Sequence, residues 1–155
     1  MILITGSNGQ LGTELRHLLD EKRIAYVATD AAEMDITDKN GVDIIFQEVN
    51  PTVVYHCAAY TAVDKAEDEG KEMNALINEI GTKNVAEAAE SVGATMYYIS
   101  TDYVFDGTNQ DQYQVNDSAN PKNEYGHAKY AGEQIVQSIS SKFYIIRTSW
   151  VFGEY

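Results

Sequence analysis

Tyr125 and Lys129 stand four positions apart in a stretch of helical periodicity, which sets both side chains on one face of a helix. A lysine ammonium beside a phenol favours the phenolate and lowers its pKa, the tuning a general acid/base needs near neutrality. The same spacing also fits a surface pair that merely steadies the helix, by roughly 0.2–0.5 kcal/mol. Thr101 closes an apolar run one loop earlier. Its hydroxyl could hold a carbonyl oxygen beside the phenol, although a hydroxyl at a strand end more commonly bonds local backbone.

A second group of residues suits phosphate. In Thr5-Gly6-Ser7-Asn8-Gly9-Gln10-Leu11-Gly12 the spacing is Gly-x-x-Gly-x-x-Gly, between an apolar run and a helical one. Gly6 permits a tight turn, Gly9 lets backbone approach a pyrophosphate, and Gly12 allows close helix–strand packing. A pyrophosphate would then meet free amides at the positive end of the helix. Otherwise the glycines build only a turn and a helix start. Asp30, 18 positions after Gly12, could accept hydrogen bonds from the adenosine ribose hydroxyls and repel a 2′-phosphate. With no arginine close behind it, NADH is favoured over NADPH. A solvated strand end or a helix cap is its alternative role. Asp35 and Ile36 could line the adenine, with a capping role equally open to Asp35.

These residues need a frame that brings them together. Apolar runs at 1–5, 25–29, 52–58, 95–100 and 143–148 read as buried strands, with a further short one at 34–36. Helical patterns cover 10–22, 39–50, 71–92 (tolerating Gly81) and 123–140, and the polar stretch 103–123 reads as a loop. Apolar strands alternating with helices predict βαβ units: an α/β, doubly wound, Rossmann-like parallel sheet with helices on both faces. Ligands then belong at the carboxyl ends of the strands, near the switch point. The 155 residues form one expected domain, 1–155.

Composition narrows the function. With 24 acidic and 11 basic side chains the net charge is −13, which argues against nucleic-acid binding. No apolar run approaches the roughly 18–20 residues of a membrane span, and residues 1–5 lack the features of a signal peptide. A soluble cytoplasmic domain is expected. The single cysteine, Cys57, forbids an internal disulfide and reads as a buried small apolar residue. His17, His56 and His127 lack metal-ligand spacing, and no metal is expected.

Through the glycine loop and Tyr125-x-x-x-Lys129 the chain resembles the extended short-chain dehydrogenase/reductase family, and within it a branch acting on dTDP-sugars. The residues carrying the narrower likeness are 57–67 (Cys-Ala-Ala-Tyr-Thr-Ala-Val-Asp-Lys-Ala-Glu) and 100–107. Segments 4–12 and 147–153 are shared more widely. The resemblance implies hydride transfer from NADPH or NADH to the C4 keto group of dTDP-4-keto-L-rhamnose. Thr101, Tyr125 and Lys129 match the catalytic trio, with Lys129 also on the nicotinamide ribose. Gly6, Gly9, Gln10, Leu11 and Gly12 match the cofactor loop, and Ala58, Ala59 and Tyr60 the turn beneath the cofactor. Thr61, Val63, Tyr103 and Trp150 match positions near the substrate, Trp150 being equally readable as a core aromatic. Asp64, Lys65, Glu67, Asp68 and Glu69 read as a solvated helix start. Relatives continue into a smaller lobe that grips the nucleotide-sugar, so the 155 residues alone are expected to bind cofactor with little turnover. Many relatives form homodimers, for which helices 71–92 and 123–140 offer faces. A non-catalytic binding subunit, like the regulatory subunit of methionine adenosyltransferase, and a nucleotide-sugar epimerase are the alternatives.

Overall fold

In a computed structural model that describes residues 1–153, five parallel strands lie in the order β2-β1-β3-β4-β5. They are β1 (Ile2–Thr5), β2 (Tyr26–Thr29), β3 (Val53–His56), β4 (Thr95–Thr101) and β5 (Phe143–Thr148). The chain runs from β1 outward to β2, then crosses back over β1 to β3, so the strand order reverses between β1 and β3. The carboxyl ends of those two strands open a crevice there.

The central strands hold β-branched and aromatic residues that pair in register: Leu3 lies opposite Val27 and Val54, and Val54 opposite Met96. On one face Leu3, Val54, Met96 and Tyr98 pack against Val42 and Phe46 of α2 (Lys39–Val49), Val85 of α5 (Thr82–Ser91) and Val136 of α6 (Glu124–Ile139). Fully burying side chains of this size contributes roughly 1.5–3 kcal/mol each. α1 (Gln10–Glu21) packs on the opposite face, where Ile4 and Leu19 are buried outside that cluster.

Asp38 caps α2 by accepting from the Asn40 amide, and Asn123 caps α6 (Glu124–Ile139) by accepting from Gly126. The single helix read over 71–92 is present as a continuous run: α4 (Lys71–Ala75), a π-helical stretch (Leu76–Gly81) and α5 (Thr82–Ser91). Gly81 is used for packing, since a Cβ there would lie 2.6 Å from Ile36 Cδ1.

Three expectations need correction. Segment 34–36 is not a strand; Met34 and Ile36 are core residues in a turn, their backbone held by bonds such as Asn84 Nδ2 to the Ile36 carbonyl. Apolarity alone cannot separate a strand from a buried turn. The loop at 103–123 begins inside a 3₁₀ turn, Asp102–Val104. Its middle is organised by Asp106, which accepts from Thr108, Tyr113 and Asn120. The solvated helix start read over Asp64, Lys65, Glu67, Asp68 and Glu69 is a short helix, α3 (Val63–Ala66), followed by a turn, in which exposed Glu67 accepts from the Glu124 amide at the start of α6.

Candidate active site

The glycine loop joins β1 to α1 at the crevice. Gly6 has φ +63°, and a Cβ on it would fall 2.6 Å from the Ala58 backbone, so only glycine lets the two turns touch. At Gly12 a Cβ would strike the Gly6 carbonyl and sit 2.7 Å from Ser7 Cα, whereas at Gly9 nothing lies nearer than 3.4 Å. The first turn of α1 has no side-chain cap. Its amides, including those of Gln10, Leu11 and Gly12, are the orphan donors that attract an anion.

Asp30 follows β2. Its carboxylate reaches the loop, accepting from the Asn8 amide at 2.9 Å and from its neighbour Ala31. A cavity of about 560 Å³ beside it is lined by Gly6, Gly9, Asp30, Asp35, Ile36, Ala58 and Ala59. Asp35 also caps its own turn, accepting from the Thr37 amide and hydroxyl, so both readings of it hold together. A second cavity, about 400 Å³, shares Gly6, Gly9, Cys57 and Ala59 with the first and continues past Gln10, Leu11 and Gly12. The two are lobes of one groove. The second lobe reaches Thr61, Val63, Thr101, Tyr103, Tyr125, Lys129 and Trp150.

Of the residues singled out from the sequence, Tyr60 alone lines neither lobe. Its backbone is clamped by Asn78, which accepts from the Tyr60 amide and donates to its carbonyl. Trp150 is 91% exposed with φ +51°, which excludes a core role in this structure.

Tyr125 and Thr101 come together because α6 begins close against the 3₁₀ turn: a Cβ on Gly126 would strike the Tyr103 carbonyl. The Tyr125 hydroxyl lies beside Thr101, and its ring meets Tyr103 edge-on at 5.7 Å. Thr101 also caps the turn, donating to Asp102 and accepting from the Tyr103 amide. Burial holds the Tyr125 phenol above the ordinary tyrosine range, the Thr101 hydroxyl opposing it and the nearby Asp102 adding to it.

Lys129 is 2% exposed. Burial drops its pKa to about 7, against the attraction of Glu133. Its Nζ lies 4.3 Å from the centroid of the Tyr98 ring, and among the described residues it makes no hydrogen bond. The expected depression of the Tyr125 pKa by Lys129 is therefore absent: the ammonium faces Tyr98, and burial of the phenol dominates. Cys57, expected to be buried, is half-buried and lines both lobes, its thiol pushed up to about 12 by burial, and His127 is exposed on another helix face.

Several supporting residues escaped the sequence reading. Buried Glu133 accepts from Ser100 and, through both oxygens, from Arg147. Asn74, Asn78 and Thr82 are all buried, and Asn78 donates to Asn74, which donates to the Glu124 carbonyl. Their spacing of four along a helix was the available signal: a polar stripe on a face that should be apolar. His56, buried between Thr5 and Thr82, was visible as one imidazole in an apolar strand.

The sheet order, the three-glycine loop at the switch point and the Thr–Tyr–Lys group define a Rossmann-like domain of the short-chain dehydrogenase/reductase type. More narrowly, the chain belongs to the family described as the RmlD substrate binding domain, which matches residues 1–155. It is 43% identical over 155 residues to the dTDP-4-dehydrorhamnose reductase of Aggregatibacter actinomycetemcomitans, covering 99% of this chain and 52% of that protein. Among solved structures, that of a dTDP-4-dehydrorhamnose reductase from Clostridium acetobutylicum superposes with a TM-score of 0.95 at 47% identity, over 99% of this chain and 55% of the other. The Bacillus anthracis dTDP-4-dehydrorhamnose reductase, in complex with NADP, gives 0.95 at 44%, with the same coverage. The chain spans about half the length of the curated relatives it matches.

Proposed function

We propose that the protein carrying this chain is an NAD(P)H-dependent reductase of the C4 keto group of dTDP-4-keto-L-rhamnose, with this domain holding the dinucleotide. The observation that carries the reading is one continuous groove, with uncapped α1 amides and Asp30 in its walls and Thr101, Tyr125 and Lys129 at its far end. These residues fit the cofactor: the α1 amides would hold the pyrophosphate, Asp30 the adenosine ribose, and Lys129 the nicotinamide ribose hydroxyls. Ala58 and Ala59 form the floor, with Tyr60 behind it.

When bound, the reduced nicotinamide supplies a hydride to C4 of the sugar. Tyr125 gives its phenolic proton to the carbonyl oxygen, and the raised pKa keeps that phenol protonated at neutral pH, the state a donor needs. Thr101 aligns the carbonyl. Thr61, Val63, Tyr103 and Trp150 border the sugar. Asp30 disfavours a 2′-phosphate by charge, and this tilts the site toward NADH.

Calorimetric titration with NADH and NADPH tests the groove, and the Tyr125→Phe variant tests the chemistry. Tyr125→Phe is expected to bind dinucleotide nearly as the parent does and to lose turnover. Unaltered turnover refutes the role of Tyr125, and absence of binding by a folded sample refutes the groove.

A further inference from the structure

The clue is how Lys129 is held. At 2% exposure its ammonium needs a partner, and it sits over the face of Tyr98, which is itself fully buried. The same tyrosine grips the other end of the residue, its hydroxyl donating to the Lys129 backbone carbonyl at 3.1 Å. Gly132 makes this possible, since any Cβ there would collide with the Tyr98 hydroxyl.

Tyr98 is in turn fixed from behind. Its hydroxyl lies beside Thr82, and its ring stacks on His56 with centroids 5.9 Å apart. His56 Nδ1 is 2.7 Å from the Thr5 hydroxyl and Nε2 is 3.2 Å from that of Thr82. The Thr5 hydroxyl accepts from the Ala58 amide. Donors and acceptors match along this path if the imidazole is neutral with its proton on Nε2. The Ala58 amide donates to Thr5, Thr5 to His56, and His56 to Thr82; Tyr98, stacked on His56, donates separately to the Lys129 carbonyl. Burial enforces that neutrality, taking the His56 pKa to about 3. The path begins at the turn that touches the glycine loop and ends at Thr82 beside Tyr98, whose own bond reaches the helix that carries Tyr125.

We propose that Tyr98 is a positioning residue for Lys129, holding its ammonium on the ring face and its backbone by the hydroxyl, with its ring backed by His56, which lies in a buried hydrogen-bonded path from the floor of the cofactor groove. The consequence for cofactor binding rests on the dinucleotide reading above; the geometry of Lys129 does not. The charged and titratable groups around Lys129 are Tyr125 and Glu133 on its own helix, His56 and Cys57 on and just after β3, and Tyr98 on β4. Of these, Glu133 is committed to Arg147 and Ser100.

Two measurements test this. In the chain without cofactor, lysine labelled with ¹³C at Cε reports the titration of Lys129 beside seven other lysines. Tyr98→Leu removes the ring face and should lower the Lys129 midpoint by about half a pH unit or more, as expected for a desolvated cation–π contact. Tyr98→Phe, which keeps the ring, should restore it, and the other lysines should stay put. If the leucine variant does not fold, Tyr98→Met takes its place. A midpoint that stays or rises overturns the proposal.

The second measurement is a double-mutant cycle on NADPH and NADH affinity. Tyr98→Phe should weaken binding about fivefold, the worth of one ordinary hydrogen bond. It should have no effect in a Lys129→Met background. Equal weakening in both backgrounds would mean a general structural role and would overturn the proposal. If the parent chain binds neither dinucleotide, the groove reading fails, and the lysine titration still decides on Tyr98.

Discussion

Replacing Glu133 by glutamine strikes the only ion pair among the described residues that has a fully buried partner. The carboxylate is 1% exposed and the guanidinium 23%. Oε1 accepts from Ser100 at 2.6 Å and Arg147 Nε at 2.9 Å, and Oε2 from Arg147 Nη2 at 2.7 Å. In glutamine the amide can keep one oxygen toward Ser100 and Nε, but its NH₂ then faces Nη2, donor against donor. Removing one partner of a buried pair costs about 3–5 kcal/mol. Because Arg147 is partly exposed and can recover some hydration, the low end applies, about 3 kcal/mol. For a domain of this size each kcal/mol shifts Tm by roughly 2–4 °C, so Tm should fall by about 6–12 °C. Arg147→Met should cost more, since it strands the more deeply buried charge. Replacing both by apolar residues (Glu133→Leu with Arg147→Met) should recover most of the loss. Urea denaturation at pH 7 measures all three. The reasoning fails if Glu133→Gln unfolds within about 0.5 kcal/mol of the parent, or if Arg147→Met proves the milder change.

The glycine loop gives a second prediction. Gly12→Ala places a methyl against the Gly6 carbonyl and 2.7 Å from Ser7 Cα, both backbone. The loop must therefore move, and NADPH and NADH affinity measured by calorimetry should drop at least tenfold; parent-like affinity would show that the loop does not form the pyrophosphate site. A third concerns pH. Lys129 falls from an ordinary 10.5 to about 7 and His56 from 6.5 to about 3. Between each pair of values the unfolded chain holds a proton that the folded chain lacks, so stability rises with pH in both windows. From pH 7 toward 10 the lysine should contribute a slope of up to about 1.4 kcal/mol per pH unit. That contribution should be missing from Lys129→Met, compared with the parent by denaturant melts at pH 7 and 9.5; equal slopes in the two would refute it.

The sequence by itself determined the local elements. Apolar runs bounded by glycine or polar residues specify the strands, because a parallel strand covered on both sides has little room for polar side chains, and β5 shows the same apolar run although its side chains are largely exposed. The limits of β5 were legible to the residue, Phe143–Thr148. The glycine spacing marked Gly6 and Gly12 because their contacts lie within the loop or with one neighbouring turn. The Tyr125/Lys129 spacing was legible for the same reason, the two sharing one helix face. Tertiary structure alone decided what those residues experience. Which way the Lys129 ammonium points depends on Tyr98, 31 positions away, and on Gly132 leaving room for its hydroxyl. The Tyr125 phenol is raised instead of lowered because desolvation depends on everything packed around it. Segment 34–36 had the apolar content of a strand, but its side chains are buried from a turn, with Ile36 against Gly81 and its carbonyl taken by Asn84. Periodicity reports which face of an element is buried; it does not report the partner that face meets, and in this protein the partners set the charge state of the site.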